Sequence, residues 1–322
     1  MNTPLKLSLY GLGLAAVFAA SLGAGHLAGP GSAADNPPPA SPAHGGHTAT
    51  PAAPQAAEVP GGLQIAQDGY RLQPLTAALS AQSPATLRFS VLGPDGKAVT
   101  GYTPTHDKDL HLIVVRRDLT GFQHVHPTLG PDGVWQIDVK APAAGQYRLF
   151  ADFQPAGRNG PLTLGVDLPA AGDYQPQPLP AAARTATIDG YTVTLDGDLV
   201  PGTSSKLTLT VAKDGVPATD LQPYLAAYGH LVALRDGDLA YLHVHPDGTP
   251  GDGRTAPGPH IVFHAEVPSA GAYRLFLDFQ HAGVVRTAAF TALAGQPAAS
   301  DSPAPVPSAP APRPSHGHEG GH

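Results

Sequence analysis

The sequence predicts an all-β protein: two tandem immunoglobulin-like antiparallel β-sandwich domains with disordered N- and C-terminal tails. Three observations carry that reading. The middle of the chain repeats itself at domain length. Short stretches inside each copy alternate apolar and polar residues at period two. Gly and Pro, 38 and 37 of 322 residues, fall as turns between those stretches or in the tails. Short strands punctuated by turn residues are the pattern of a sandwich, with a small barrel as the structural alternative.

The repeat is read directly. Asp68-Gly69-Tyr70 returns as Asp189-Gly190-Tyr191, and Leu87–Val91 (LRFSV) as Leu207–Val211 (LTLTV). His111–Arg116 (HLIVVR) returns as His230–Arg235 (HLVALR), and His124-Val125-His126-Pro127 as His243-Val244-His245-Pro246, both at an offset of 119. Pro142–Gln154 (PAAGQYRLFADFQ) returns as Pro268–Gln280 (PSAGAYRLFLDFQ) at an offset of 126. The second copy therefore carries a seven-residue insertion, in the Gly/Pro/Asp segment between Pro246 and His260. Copies of roughly 100 to 110 residues are domains, not solenoid repeats. The expected domains are 61–172 and 184–294, joined by a Pro/Ala-rich linker over 173–183.

Within each copy the period is that of strands. Tyr70, Leu72 and then Leu87, Phe89, Val91 alternate, as do Tyr191, Val193, Leu195 and Leu207, Leu209, Val211. Gly-Pro-Asp-Gly at 93–96 and at 130–133 marks turns. Ile137–Val139, Tyr147–Phe153 and Leu162–Leu168 supply further strands, and Leu221–Tyr228 is short enough for one or two helical turns.

The ends differ in kind. Lys6 followed by the apolar run Leu7–Leu22, with a small-residue signal at Ser32-Ala33-Ala34, reads as an export signal, or as a membrane anchor if uncleaved, over residues 1–34. Residues 35–60 and 295–322 are Pro/Ala/Ser-rich, too poor in large apolar residues to repay ordering. They carry His44, His47, His316, His318 and His322. Short His-rich tracts collect divalent metal weakly.

Composition excludes several chemistries. With no Cys and Met1 as the only Met, no disulfide, iron–sulfur cluster, thiolate zinc or thioether copper site is possible. A formal charge of −7 argues against nucleic acid as a partner. What stands out is 16 His against 18 Lys+Arg.

Six of those His form two matched sets. His124 and His126, two apart on a strand, share a face. If the hairpin from His111 to His126 pairs residues whose numbers sum to about 237, His111 sits opposite His126, and three imidazoles converge on one point. A one-residue slip would break the set. His230, His243 and His245 repeat the intervals of 13 and 2. Three His with an open fourth position suit copper(II), zinc or nickel. Asp152 and Asp278, in matched Asp-Phe-Gln triplets, are candidates for a fourth ligand or an outer support, and His281 follows the second triplet. His260 and His264 belong to copy two alone and His106 to copy one alone. In the competing reading, His-x-His-Pro is structural, its rings bonded to backbone and its Pro ending the strand.

These motifs resemble a group of exported bacterial tandem β-sandwich proteins, similar to the YtkA-like and CopC-like envelope domains. The resemblance spans roughly 61–294 and implies an immunoglobulin-like fold outside the cytoplasm with handling of copper(II) or another metal. The sequence departs from the CopC pattern, whose copper(II) site uses the mature N-terminal His. Here the expected mature start is Asp35-Asn36-Pro37, so no site carries over.

The expected function is therefore a secreted, periplasmic or cell-surface metal-binding protein, a copper(II) or zinc buffer or chaperone. Its partners would be the metal ion and another envelope protein, and it would meet the membrane only through its N-terminal segment. The alternative is a structural or protein-binding envelope module. A metallohydrolase is disfavoured, because no repeated Glu lies beside the triads as a base and no nucleophile elbow is present.

Overall fold

The structure, a computed structural model, describes residues 59–295, and for His243 and His245 the backbone alone. The expected leader, most of the N-terminal spacer and the C-terminal tail lie outside the described residues. Among the described residues no helix is long and apolar enough to cross a membrane. Their regular elements are strands.

The first domain comprises β1 (Ala66–Gln67), β2 (Tyr70–Pro74), β3 (Pro84–Leu92), β4 (Leu110–Arg116), β5 (Gln123–Val125), β6 (Thr128–Leu129), β7 (Val134–Lys140), β8 (Gly145–Phe153) and β9 (Leu162–Ala170). They form two antiparallel sheets, in the orders β1-β2-β3-β7-β6 and β5-β4-β8-β9. The second domain follows with β10 (Thr185–Ile188), β11 (Tyr191–Asp196), β12 (Ser204–Lys213), β13 (Val216–Pro217), β14 (Gly229–Arg235), β15 (Tyr241–Pro246), β16 (His260–Glu266), β17 (Gly271–His281) and β18 (Val284–Ala294). Both domains are immunoglobulin-like sandwiches, as the alternation predicts.

The turn residues act where expected. Gly96 donates its N–H to the Gly93 carbonyl at 2.9 Å and Gly133 to that of Gly130 at 3.0 Å. Leu221–Tyr228 is not helical, contrary to expectation. Leu225 and Ala226 take φ of 53° and 60°, left-handed values that stop a right-handed helix.

The two copies part company at His-x-His-Pro. In the first, Pro127 lacks the N–H needed for a ladder bond, and the chain breaks between β5, on one sheet, and β6, on the other. In the second, β15 runs on to Pro246 and pairs with both β14 and β16, so that the two sheets join.

Each sandwich has its own core. In the first, Leu87, Phe89 and Val91 meet Leu110, Leu112, Val114 and Trp135; in the second, Leu207, Leu209 and Val211 meet Leu231, Ala233 and Phe279. The Trp135 indole N–H donates to the Tyr102 hydroxyl at 3.1 Å, which satisfies its one buried polar atom.

A third cluster lies between the domains. Every residue of β4 is buried, because alternate side chains serve two cores. Leu110, Leu112 and Val114 enter the first domain, whereas Ile113 and Val115 turn outward and meet Val232 and Leu234 of β14. Phe122 stacks on Phe276 with ring centroids 3.9 Å apart, and Phe150 stacks on Tyr241 at 5.4 Å. Phe122 and Tyr241 are repeat equivalents, as are Phe150 and Phe276, so the contact is made twice in reciprocal sense. Leu119 and Leu239, both at positive φ, complete the cluster. Domains on a linker move freely unless their interface is large and apolar. Nine buried apolar residues, each contributing about 1.5–3 kcal/mol, make this interface of the fixed kind.

Two polar devices hold the rim. Arg116 pairs with Asp118 at 2.6 Å and donates to the Ala144 and Gln175 carbonyls, which ties the linker down. At the domain entrance the Gly61 carbonyl accepts the N–H of Tyr241 in the second domain, while the Gly62 N–H bonds to Thr163 in the first.

Candidate metal centre

His111 is the second residue of β4 and shares the outward face of Ile113 and Val115. The β4–β5 hairpin pairs Leu112 with Val125, Ile113 with His124 and Val114 with Gln123, each pair summing to 237. One step further along that register His126 faces His111. Strand alternation thus carries His111, His124 and His126 to one side.

The ring nitrogens converge. His111 Nδ1 lies 3.0 Å from His124 Nε2 and 3.2 Å from His126 Nε2, and one nitrogen from each ring falls within 4.8 Å of the others. Their outer partners fix the tautomers. His111 Nε2 is 2.8 Å from the Thr105 carbonyl, and His124 Nδ1 is 2.8 Å from Asp278 Oδ2. A carbonyl and a carboxylate only accept, so both of those nitrogens carry the proton. The neutral rings then present lone pairs, not protons, at His111 Nδ1 and His124 Nε2. Burial pushes His126 down to about 2, helped by the charge of Lys108, so it too is neutral.

Lone pairs at such distances repel unless a cation joins them. A proton serves one pair. A tetrahedral ion at 2.0–2.1 Å from each nitrogen would hold them roughly 3.3 Å apart, close to the separations found. The carboxylate behind His124 and the carbonyl behind His111 are the outer contacts that orient metal-binding imidazoles.

Asp278 reaches this position from β17 of the second domain. It lies beside His230 in the β14–β17 register and accepts from Thr287 as well as from His124. Asp152 is its equivalent, beside His111 on β8, and accepts from Thr163 at 3.2 Å and from Tyr241 of the second domain at 3.4 Å. Each carboxylate therefore reaches into the other domain, and neither belongs to the converging nitrogens.

His230 repeats the setting of His111. Its Nε2 is 2.9 Å from the Tyr224 carbonyl, which leaves the lone pair on Nδ1, and burial pushes it down to about 4. His243 pairs with Val232 as His124 pairs with Ile113, and His245 pairs with His264 on β16. The side chains of His243 and His245 lie outside what the structure describes.

His281 takes other partners. It stands three positions beyond Asp278, hence on the opposite face of β17, where it meets the Tyr191 hydroxyl at 2.6 Å and Asp220 at 2.8 Å. His260 bonds Thr210 at 2.9 Å, and His264 lies 3.8 Å from Asp247. One neighbour that the pairing of the triads did not select is His106. Its ring is 6.2 Å from that of His111 and 5.3 Å from that of His230. Its place in the loop leading into β4, five residues before His111, was the available signal.

No curated protein sequence matches the chain. Among solved structures it is similar to FdeC, an Escherichia coli adhesin, at 13% identity over 71% of this chain and 64% of that one, with a TM-score of 0.23. A Salmonella alpha-2-macroglobulin gives 16% identity over 73% and 15%, with a TM-score of 0.25. The Yersinia pseudotuberculosis adhesin InvE gives 14% over 70% and 58%, with a TM-score of 0.21. The chain thus spans less than two thirds of each, and scores this low carry no argument about function. The resemblance to YtkA-like and CopC-like domains finds no support in these matches. The family that does match is described as a domain of unknown function, DUF8832; it covers residues 65–174 and again 186–296, one copy per sandwich, and the chain belongs to it.

Proposed function

We propose that the protein is an exported, non-enzymatic metal-binding protein whose first domain holds a divalent ion, copper(II) or zinc, on His111, His124 and His126. One observation carries this reading: the three nitrogens converge, with the lone pairs of His111 and His124 turned inward because Thr105 and Asp278 take the protons on the far side of those two rings. Donors limited to imidazole and carboxylate favour these borderline ions over soft ones. Export rests on the leader-like residues 1–34. A non-catalytic role is supported by Asp278, the nearest carboxylate, being committed to His124 and Thr287 and so not placed as a general base.

A second reading is a protein-binding envelope module. The His124–Asp278 contact across the domain junction favours it, since such a pair also serves as a plain clamp. Titration of the full chain with zinc and copper(II) under chelator competition separates the two. The background would replace the five tail His by Ser. The metal reading expects a tight site lost on combined His111→Gln, His124→Gln and His126→Gln replacement. Affinity that is negligible, or untouched by those changes, sinks it and leaves the clamp.

A further inference from the structure

We propose that a second divalent ion sits beside the first and is held across the domain junction by His106 of the first domain and His230 of the second. This rests on the reading above and extends it to the other copy, with a donor that the repeat does not supply.

The first support is geometric. Two imidazoles on one tetrahedral ion at 2.0–2.1 Å place their ring centroids roughly 5 Å apart. The rings of the first triad are separated by 5.3, 4.9 and 4.9 Å. His106 and His230 stand 5.3 Å apart, nearly perpendicular at 82°, much like His111 and His126 at 86°. His230 is 5% exposed, and the Tyr224 carbonyl holds its proton on Nε2, which puts the lone pair on Nδ1.

The second support is the loop. Thr105 and Lys108 exchange backbone hydrogen bonds of 2.9 and 3.1 Å, and His106 and Asp107 between them take φ of 50° and 64°. The equivalent loop, Tyr224 to Ala227, closes in the same way at 2.8 and 3.2 Å, with Leu225 and Ala226 at 53° and 60°. Leucine fills the position that His106 occupies, so the loop conformation does not demand a histidine. The same loop gives His111 its Thr105 carbonyl, and so aims two imidazoles at once.

The third is adjacency. His111, His124 and His230 line one small cavity, with the His124 and His230 rings 6.2 Å apart. The ligand class is a divalent ion with a preference for imidazole.

The test counts cobalt(II), a visible probe of such sites, retained by the full chain with its five tail His replaced by Ser. Two ions per chain are expected, falling to one in His106→Gly and one in His230→Gln. Glycine accepts the φ of 50°, and an unchanged thermal transition confirms that the variant is folded. Two ions retained in His106→Gly overturn the proposal. A single ion in the parent chain, insensitive to His106→Gly and lost in His124→Gln, also overturns it while sparing the first site. No retained ion removes both.

Discussion

His124 of the first domain donates its Nδ1 proton to Asp278 of the second at 2.8 Å, with both side chains nearly excluded from water. The donor properties of one domain are thereby set by a carboxylate of the other. Asp278→Asn keeps the shape and removes the charge. Loss of such an outer contact weakens metal affinity by about 10- to 100-fold. We expect a loss of that size for zinc in a chelator competition, with little change in the urea midpoint. Unaltered affinity would show that Asp278 acts only as a clamp.

The stack of Phe122 on Phe276 joins the domains directly. Phe276 is almost fully buried, so Phe276→Ala should cost about 3–5 kcal/mol. Phe122→Ala should cost less, since that ring is only partly buried. A double-mutant cycle in urea is expected to give a coupling of about 1 kcal/mol. Additive losses would mean that the rings contribute separately.

Gly62 carries the entrance strap under Phe150. Its φ is +72°, and a Cβ there would lie 2.3 Å from the Phe150 ring. Gly62→Ala combines left-handed strain with overpacking of the interdomain cluster, for a cost of about 2–4 kcal/mol. Gly96, at a φ of +74° with open space around its Cβ position, is the control. Gly96→Ala should cost only about 1 kcal/mol.

Asp118 predicts an acid limb of stability. Burial alone would raise its carboxyl, but Arg116, the Gln177 N–H and Thr120 outweigh burial and hold it at about 2, against an ordinary 3.8. A carboxylate lowered by folding contributes fully above its unfolded value and loses that contribution as pH falls to its folded one. Asp118→Asn should therefore cost about 3 kcal/mol near neutrality, since it strands the buried Arg116. The gap from the parent should close between pH 4 and pH 2. A constant gap across that window would refute the assignment.

Much of this was legible because strands alternate strictly. The period of two located β3, β8, β11 and β12, and the sum of 237 set the β4–β5 register on which the imidazoles converge. The packing of the two sandwiches was not read, though a signal existed. His111–Arg116 is apolar at both parities between its ends, and a strand apolar on both faces must be covered on both. Asp278's role is likewise hidden in the sequence, because its partner stands 154 residues away. His281 was grouped with Asp278 by nearness in sequence, whereas three positions along a strand reverse the face. The suggested helical turn at Leu221–Tyr228 failed for want of any sign that Leu225 would adopt positive φ.

The reciprocal aromatic contact, Phe122 on Phe276 and Tyr241 on Phe150, is what a two-fold axis produces. A single sandwich carrying that face would pair with its own copy, and each position would then be forced to occur twice. Fusion into one chain keeps the pairing and lifts the constraint. Aspartates that cross to the opposite half stay matched, while a loop tip can hold histidine on one side and leucine on the other. The duplicated chain is in effect a dimer free to become unequal, so that the two halves can diverge at single positions while their shared face is kept.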